Sequence, residues 1–312
     1  MKHSKYLRIF ISTLLISFLI YKVNPAKLGA SLADLSVFVI ALILLHYFTT
    51  TLMNSLNLYL FLRACQEKID FKKFLSLNWY ALGLGQFFPG RVGEISIVKM
   101  LKTSYQTPMG KTISMYLLDK SLTLFLVAII SIFGIVTMFP ILSAWNYFIV
   151  GIVMIVILAL IILSNNKIRI WIRTKILRKY ENKFRGFSKG FKYIFKHQKI
   201  FLILNISITL TRFIITAFLF KLMFLEYQLN IPLITLIVIN AISLVALFVP
   251  FTFSGIGVKE SVVVFLFSIL SYDVGIVATI YLLTTSLYLI ANGIVVFINL
   301  NHKKKNPTSI PP

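Results

Sequence analysis

The sequence is poor in acidic residues and nearly lacks cysteine. Its 312 residues include 9 Asp or Glu against 32 Lys or Arg, and its single cysteine, Cys65, cannot form an internal disulfide. Charged residues make up 13% of the chain and hydrophobic residues 58%, whereas a soluble domain carries about 25% charged residues. This composition excludes a disordered protein, a secreted disulfide scaffold and an ordinary soluble enzyme, and it predicts a polytopic membrane protein.

Several sequence patterns for nucleotide and metal chemistry are also missing. The chain has no G-x-x-x-x-G-K-[ST] and no H-E-x-x-H motif, and one cysteine with four scattered histidines gives no ligand cluster. We therefore expect no catalytic residue, no metal and no cofactor, and no ATP hydrolysis by this chain. We expect Cys65 to be a small, buried apolar side chain.

Long hydrophobic segments predict an all-α membrane bundle of about eight spans, forming one integral membrane domain over residues 1–312. A helix needs roughly 20 apolar residues to cross a bilayer. We interpret the first segment as a retained helix and not as a signal peptide, because it lacks a clear cleavage site and further spans follow. A ninth segment, 74–101, is hydrophobic but interrupted. The predicted spans are 7–21, 35–62, 113–139, 147–163, 200–224, 231–249, 258–271 and 274–299.

Basic residues predict the orientation. The loop 164–199 contains twelve Lys and Arg and one acidic residue, Glu181. By the positive-inside rule this loop, the N-terminus and the basic tail 300–312 are all expected in the cytoplasm. Eight crossings satisfy these constraints if segment 74–101 enters and leaves the membrane from one face.

The basic loop 164–199 also has a helical pattern. Apolar residues recur every three or four positions from Ile168 to Phe195, with Lys and Arg between them. This spacing predicts an amphipathic helix that lies in the membrane interface near anionic headgroups. We interpret it as a topological anchor, with recruitment of anionic lipid to a transport path as an alternative, and we do not expect nucleic-acid binding.

Two hydrophobic segments are broken by proline and glycine, and each break is followed by a cation and a carboxylate. Unwound backbone within a membrane persists only where it packs in protein or lines a wet cavity. Two such breaks in the two halves of a chain are typical of a transporter built from repeats, and restarted helices would offer free N–H groups to an anion. The candidate substrate-binding residues at the breaks are Pro89, Gly90, Arg91, Gly93, Glu94, Gly255, Gly257, Lys259 and Glu260.

Other polar residues lie within the predicted spans. Arg212 is near the middle of 200–224, where a lone charge costs at least about 2.5–3.5 kcal/mol, so we expect it to pair with Glu94 or Glu260 or to contact a substrate phosphate. Asp119 and Lys120 are expected to reach the interface by snorkelling. We expect His46 to be a hydrogen-bonded core residue. Interhelical hydrogen bonds are expected from Asn54, Ser55 and Asn57.

The first break, Gly85-Gln86-Phe87-Phe88-Pro89-Gly90-Arg91-Val92-Gly93-Glu94, resembles the signature of the lysylphosphatidylglycerol synthase transmembrane (flippase-like) family. The later run from Ser254 to Glu260 resembles the Gly-rich segment of that family. The resemblance implies an inner-membrane domain with two re-entrant elements that moves charged lipids between leaflets. Fused members carry a soluble aminoacyl-transferase domain after the membrane region, whereas this chain ends at Pro312.

These observations lead to a hypothesis of lipid translocation. The partner would be a membrane lipid bearing phosphate: an anionic phospholipid, an aminoacyl-phospholipid or a polyprenyl-phosphate-linked lipid. Arg91, Lys259 and Arg212 would hold the phosphate, and Glu94 and Glu260 would balance these cations or bind a cationic headgroup or coupling proton. The alternatives are a non-transporting membrane subunit of an envelope lipid or glycan assembly complex, with an envelope-biosynthesis enzyme as its partner, and an intramembrane lipid transferase.

Overall fold

The computed structural model describes residues 36–144, 193–194, 197–246 and 257–305, together with isolated positions 17, 21, 147, 150, 151 and 154. These residues form α-helices and two short 3₁₀ segments, Pro89–Ile95 and Pro140–Leu142, and they contain no strand. The predicted all-α bundle is therefore confirmed. The helices are α1 Val37–Ala64, α2 Phe71–Gln86, α3 Ser96–Tyr105, α4 Met109–Met138, α5 Lys199–Glu226, α6 Leu233–Ala246, α7 Val258–Ile269 and α8 Val274–Lys305.

Four of these helices, α1, α4, α5 and α8, are long and apolar enough to cross a membrane, and α6 is a shorter apolar helix. They coincide with predicted spans to within a few residues at most ends. The chain is therefore a multi-pass membrane protein. Predicted spans 7–21 and 147–163 lie almost entirely outside the described residues and stay predictions. Predicted spans 231–249 and 258–271 are wrong as separate crossings, because α6 and α7 have 14 and 12 residues and the pair begins and ends in the same hydrophobic cluster, so the total of eight does not hold.

Polar side chains define several helix starts. Ser36 accepts a hydrogen bond from Val39 N at the start of α1, and Asp70 accepts from Lys72 N (3.0 Å) and Lys73 N at the start of α2. Asp273 does the same for α8. These oxygens satisfy backbone donors that have no partner within the helix.

Two hydrophobic clusters lie at opposite ends of the bundle. The Phe224 cluster joins the start of α1 to the ends of α4 and α5 through Val39, Phe139 and Phe224. The Phe61 cluster joins the end of α1 to the starts of α4 and α5 through residues that include Phe61 and Met115, with Phe201 packed against it. The long helices α1, α4 and α5 therefore run from one cluster to the other. The cluster to which a residue belongs shows at which end of the bundle it lies.

The interrupted segment forms a re-entrant hairpin. Phe74 of α2 and Leu101 of α3 both belong to the Phe61 cluster, so the segment enters and leaves from the same end, as predicted. Its helices have 16 and 10 residues, which is too short for either to cross a bilayer. The 3₁₀ segment between them, Pro89–Ile95, forms the tip of this first hairpin.

The second break joins two more short helices. Leu236 of α6 and Phe267 of α7 both belong to the Phe224 cluster, so this pair enters and leaves from the end opposite to the first hairpin. Residues 247–256, which connect α6 to α7 and include Gly255, lie outside the described residues. Short helical pairs that enter from opposite ends are the arrangement expected of an inverted repeat.

The end of the basic loop and the end of α8 lie at the same end of the bundle. Ile194 is fully buried in the Phe61 cluster, and Gln66 Nε2 donates to the hydroxyl of Tyr193 (2.9 Å). Near its C-terminus α8 packs beside the start of α2, where Lys72 and Asn299 line one groove. This agrees with the prediction that both basic segments share one side; the cytoplasmic assignment stays a prediction, and 164–192 and 306–312 lie outside the described residues.

Close packing at Gly93 provides a test of the first hairpin. A Cβ at this position would lie 2.4 Å from the carbonyl oxygen of Leu84 and 2.7 Å from Gly85 N, both backbone atoms of α2. Gly93→Ala should therefore destabilise the protein by about 1–3 kcal/mol, the usual cost of overpacking. The measurement is the melting temperature in detergent, with Gly293→Ala as the control, since its added Cβ meets only Phe87 Cζ at 3.7 Å. Equal melting temperatures for both variants would contradict the packing described.

The burial of Cys65, predicted from the sequence, is confirmed, since it is 5% exposed immediately after α1. Burial raises the pKa of its thiol to about 11. Only the thiolate reacts with maleimide, so at pH 8 about one thiol in a thousand is reactive, and the fraction rises only as the pH approaches the pKa. Native protein should label slowly at pH 8 and rapidly once unfolded in SDS. The control is Cys65→Ala/Thr103→Cys, because Thr103 is exposed at the same end of the bundle. If Cys65 in native protein were labelled at the same rate as the control, its burial would be refuted.

Candidate functional site

The carboxylate of Glu94 is buried at the tip of the first hairpin, where it is 6% exposed. Lys120 Nζ lies 2.9 Å from its Oε2, Arg91 Nη1 lies 3.7 Å from its Oε1, and the hydroxyl of Tyr116 also hydrogen-bonds to it. Gly85 makes room for this side chain, because a Cβ there would lie 2.5 Å from Glu94 Cγ. The i, i+3 spacing of Arg91 and Glu94 brings these two side chains together, and Lys120 is the nearer partner of Glu94.

Lys120 and Asp119 are placed differently from the prediction. They were expected to snorkel to the interface, but Lys120 turns inward to Glu94, and Asp119 is buried and accepts a hydrogen bond from Asn205 Nδ2 (3.0 Å) on α5. The prediction was wrong because both residues face protein partners that relieve the cost of burying their charge. Sequence reasoning missed Lys120 as a site residue; its depth within an apolar span was the available signal.

Arg91 has an unusual backbone and an open side chain. Its φ of 55° is in the left-handed region, which non-glycine residues seldom adopt, and its side chain is 47% exposed. Pro89 and Gly90 precede it in the same 3₁₀ segment. The break therefore turns this guanidinium out of the hairpin while its neighbour Glu94 turns in. An exposed charge at the tip of a hairpin that ends inside a membrane must face a polar cavity.

The second break is organised around the start of α7. Gly257 has φ 85°, and its N–H donates to Glu260 Oε2 (2.8 Å), while the hydroxyl of Thr285 donates to Glu260 Oε1. The expectation that this helix start offers free N–H groups to an anion is therefore wrong at this donor, because Glu260 occupies it as in a capping box. Lys259 lies beside Glu260 in the first turn, with its Nζ 5.5 Å from the centre of the Tyr281 ring.

Arg212 is held by a neutral group. Its Nη1 donates to Asn54 Oδ1 of α1, and among the described residues it forms no ion pair with Glu94 or Glu260, contrary to expectation. Helix α5 packs along α1, which brings Arg212 to Asn54 first. Arg212 is still near enough to Asp119 and Glu94 for their charges to interact with it.

Three cations of the site lie on separate elements of the bundle. Arg91 is near enough to Arg212 on α5 and to Lys259 at the start of α7 for their charges to interact. We call Arg91, Lys120, Arg212 and Lys259 the cation cluster. These four residues come from four separate parts of the chain. Like charges within one bundle repel each other unless carboxylates or a bound anion lie nearby.

Hydrogen bonds join a group of aromatic and polar side chains on α1, α2, α5 and α8. His46 Nδ1 contacts the hydroxyl of Tyr288 (2.8 Å) and Nε2 contacts Thr216 (3.3 Å), so the prediction of a hydrogen-bonded core histidine is confirmed. Trp79 Nε1 donates to the hydroxyl of Tyr47, which donates to Asn292. Sequence reasoning missed these aromatic residues, whose hydroxyl and indole groups give no local signal of pairing.

The predicted interhelical hydrogen bonds from α1 are also confirmed. Asn54 accepts from Arg212, Ser55 accepts from Asn78 Nδ2 (2.9 Å), and Asn57 donates to Thr209 (2.9 Å). These bonds tie α1 to α5 and to α2, and so they fix the first hairpin relative to the long helices.

A family model described as the lysylphosphatidylglycerol synthase TM region matches residues 6–295. The match includes both breaks and every residue of the cation cluster. No curated protein matches the chain.

The ion pair of Glu94 with Lys120 can be tested by a double-mutant cycle. Lys120→Met leaves a buried carboxylate with the hydroxyl of Tyr116 and the 3.7 Å contact to Arg91 but without its closest cation, so the free energy of unfolding should fall by about 3–5 kcal/mol. Glu94→Gln/Lys120→Met removes both charges and should recover most of this loss. Unfolding is followed by helical circular dichroism in mixed micelles titrated with SDS. Additive losses in the double variant would contradict a direct interaction.

Proposed function

Because the chain belongs to the lysylphosphatidylglycerol synthase transmembrane family, we propose that it is a flippase, which moves a charged lipid between the two leaflets. The observation that supports this proposal most strongly is that helical pairs entering the bundle from opposite ends each carry a cation at the break, Arg91 on the first hairpin and Lys259 at the start of α7. A site reached from both ends is suited to binding a headgroup at the membrane midplane and releasing it on either side.

The cation cluster supplies the contacts that a lipid phosphate requires. Arg91 is half exposed, and neither Arg212 nor Lys259 has a carboxylate within 4 Å among the described residues. Guanidinium and ammonium groups bind phosphate through charge-assisted hydrogen bonds, which are worth about 1.5–3 kcal/mol each. Phe87, Phe88 and Ile95 are exposed at the same hairpin tip and provide apolar surface for the acyl chains.

The proposed role is transport without chemical change of the lipid. The phosphate is drawn to the cation cluster, while the chains stay in the hydrocarbon. Glu94 holds Lys120 and the hairpin tip in place during this exchange. Movement in this scheme is downhill, is coupled to an ion gradient or uses a partner protein.

Leaflet exchange in proteoliposomes tests this function. Fluorescent lipids are assayed by the accessibility of the fluorophore to an external quencher, for wild type, Lys259→Gln and Arg212→Gln. Each substitution should slow exchange about 10- to 100-fold, because each removes one charged contact to phosphate. Lys102→Gln is the matched control, since Lys102 is exposed at the far end of α3. The recovered lipid should be chemically unchanged by mass spectrometry.

Two results would contradict the proposal. A covalently altered lipid would indicate a transferase. No exchange by folded wild-type protein with any tested lipid and an imposed proton gradient would favour a non-transporting subunit of an assembly complex.

A further inference from the structure

Every acidic side chain described within the membrane region already has a partner. These side chains are Glu94, Asp119 and Glu260. Glu94 binds Lys120 and Arg91, Asp119 accepts from Asn205, and Glu260 binds Gly257 N and Thr285. The other described acidic residues lie at or beyond helix ends, and Asp34 and Glu181 lie outside the described residues.

The side chains of the cation cluster are not matched in this way. Four cations face three carboxylates, which leaves one excess positive charge. Arg212 is bound by the neutral amide of Asn54, and Lys259 lies over the ring of Tyr281. Lys259 also lies in the first turn of α7, where the helix dipole is positive and disfavours a cation. The cation cluster is therefore short of negative charge.

The consequence is a preference for one class of headgroup. A cationic headgroup would need to bind a carboxylate, and each carboxylate already has a partner. Binding to Glu94 would leave Lys120 without its closest anion, and binding to Glu260 would remove the cap of α7. A phosphate without an amine supplies the missing negative charge and breaks none of these contacts. We infer that the site selects lipids of net negative headgroup charge over aminoacylated, cationic ones, an inference that rests on the proposed function.

Competitive lipid binding tests this selectivity apart from transport. Purified protein in neutral detergent is mixed with phosphatidylglycerol, lysyl-phosphatidylglycerol and phosphatidylcholine, and bound lipid is counted by native mass spectrometry. Wild type should bind phosphatidylglycerol at least about tenfold more tightly than lysyl-phosphatidylglycerol. Inorganic phosphate in a separate arm distinguishes a lipid site from a site for the free anion, and competition by phosphate without lipid binding would overturn the inference.

Charge reversal gives a second, independent readout. Lys259→Glu should lower the preference for phosphatidylglycerol over lysyl-phosphatidylglycerol by at least about tenfold, whereas Lys102→Glu changes net charge equally far from the cluster and should leave it unchanged. Equal or tighter binding of lysyl-phosphatidylglycerol by wild type would overturn the inference, as would an unchanged preference in folded Lys259→Glu. If wild type binds phosphatidylglycerol selectively but exchanges no lipid between leaflets, the inference holds and flippase activity is refuted. If wild type binds lysyl-phosphatidylglycerol more tightly and exchanges it between leaflets, flippase activity holds and the inference is refuted.

Discussion

The ion pair between Glu94 and Lys120 is the contact on which the candidate site depends. It fixes the tip of a re-entrant hairpin to a membrane-spanning helix over a distance of 2.9 Å. Lys120 is 35% exposed, but the Glu94 side chain is buried, so losing Lys120 would leave a buried charge without its closest partner, and the pair therefore locks the arrangement in place. With Glu94 buried, the side chain of Arg91 stays 47% exposed at the tip of the same hairpin.

The architecture around this contact explains how charges are tolerated inside a membrane. Two short helical pairs enter from opposite ends, anchored in the Phe61 and Phe224 clusters, and α1, α4, α5 and α8 surround them. The carboxylates of Glu94, Asp119 and Glu260 are then buried against protein. Small residues make the approach possible: Gly93 lies on the backbone of α2, and Gly134 of α4 lies against Val238 of α6.

Local patterns predicted the helices and the breaks, because hydrophobic length, proline and glycine act within a short stretch of chain. The pairing of Arg91 with Glu94 was accessible for the same reason. Contacts between residues distant in sequence could not be predicted in this way. Lys120 was assigned to the interface and Arg212 to a carboxylate, because no spacing rule predicts that α4 meets the tip of the first hairpin or that Asn54 faces α5. Glu260 is different, because Gly257-Val258-Lys259-Glu260 has the spacing of a capping box and the occupied helix start was readable.

Arg91 is inferred to face a polar cavity inside the membrane, and the most direct test is the access of solvent to this position. Arg91→Cys and Phe125→Cys, each in a Cys65→Ala background, are treated with a small charged methanethiosulfonate reagent. The two native side chains have similar exposure, 47% and 46%, but Phe125 lies in the apolar middle of α4. Only a thiol in contact with water ionises and reacts. Arg91→Cys should be modified rapidly and Phe125→Cys should not be modified. Equal protection of both thiols would contradict it.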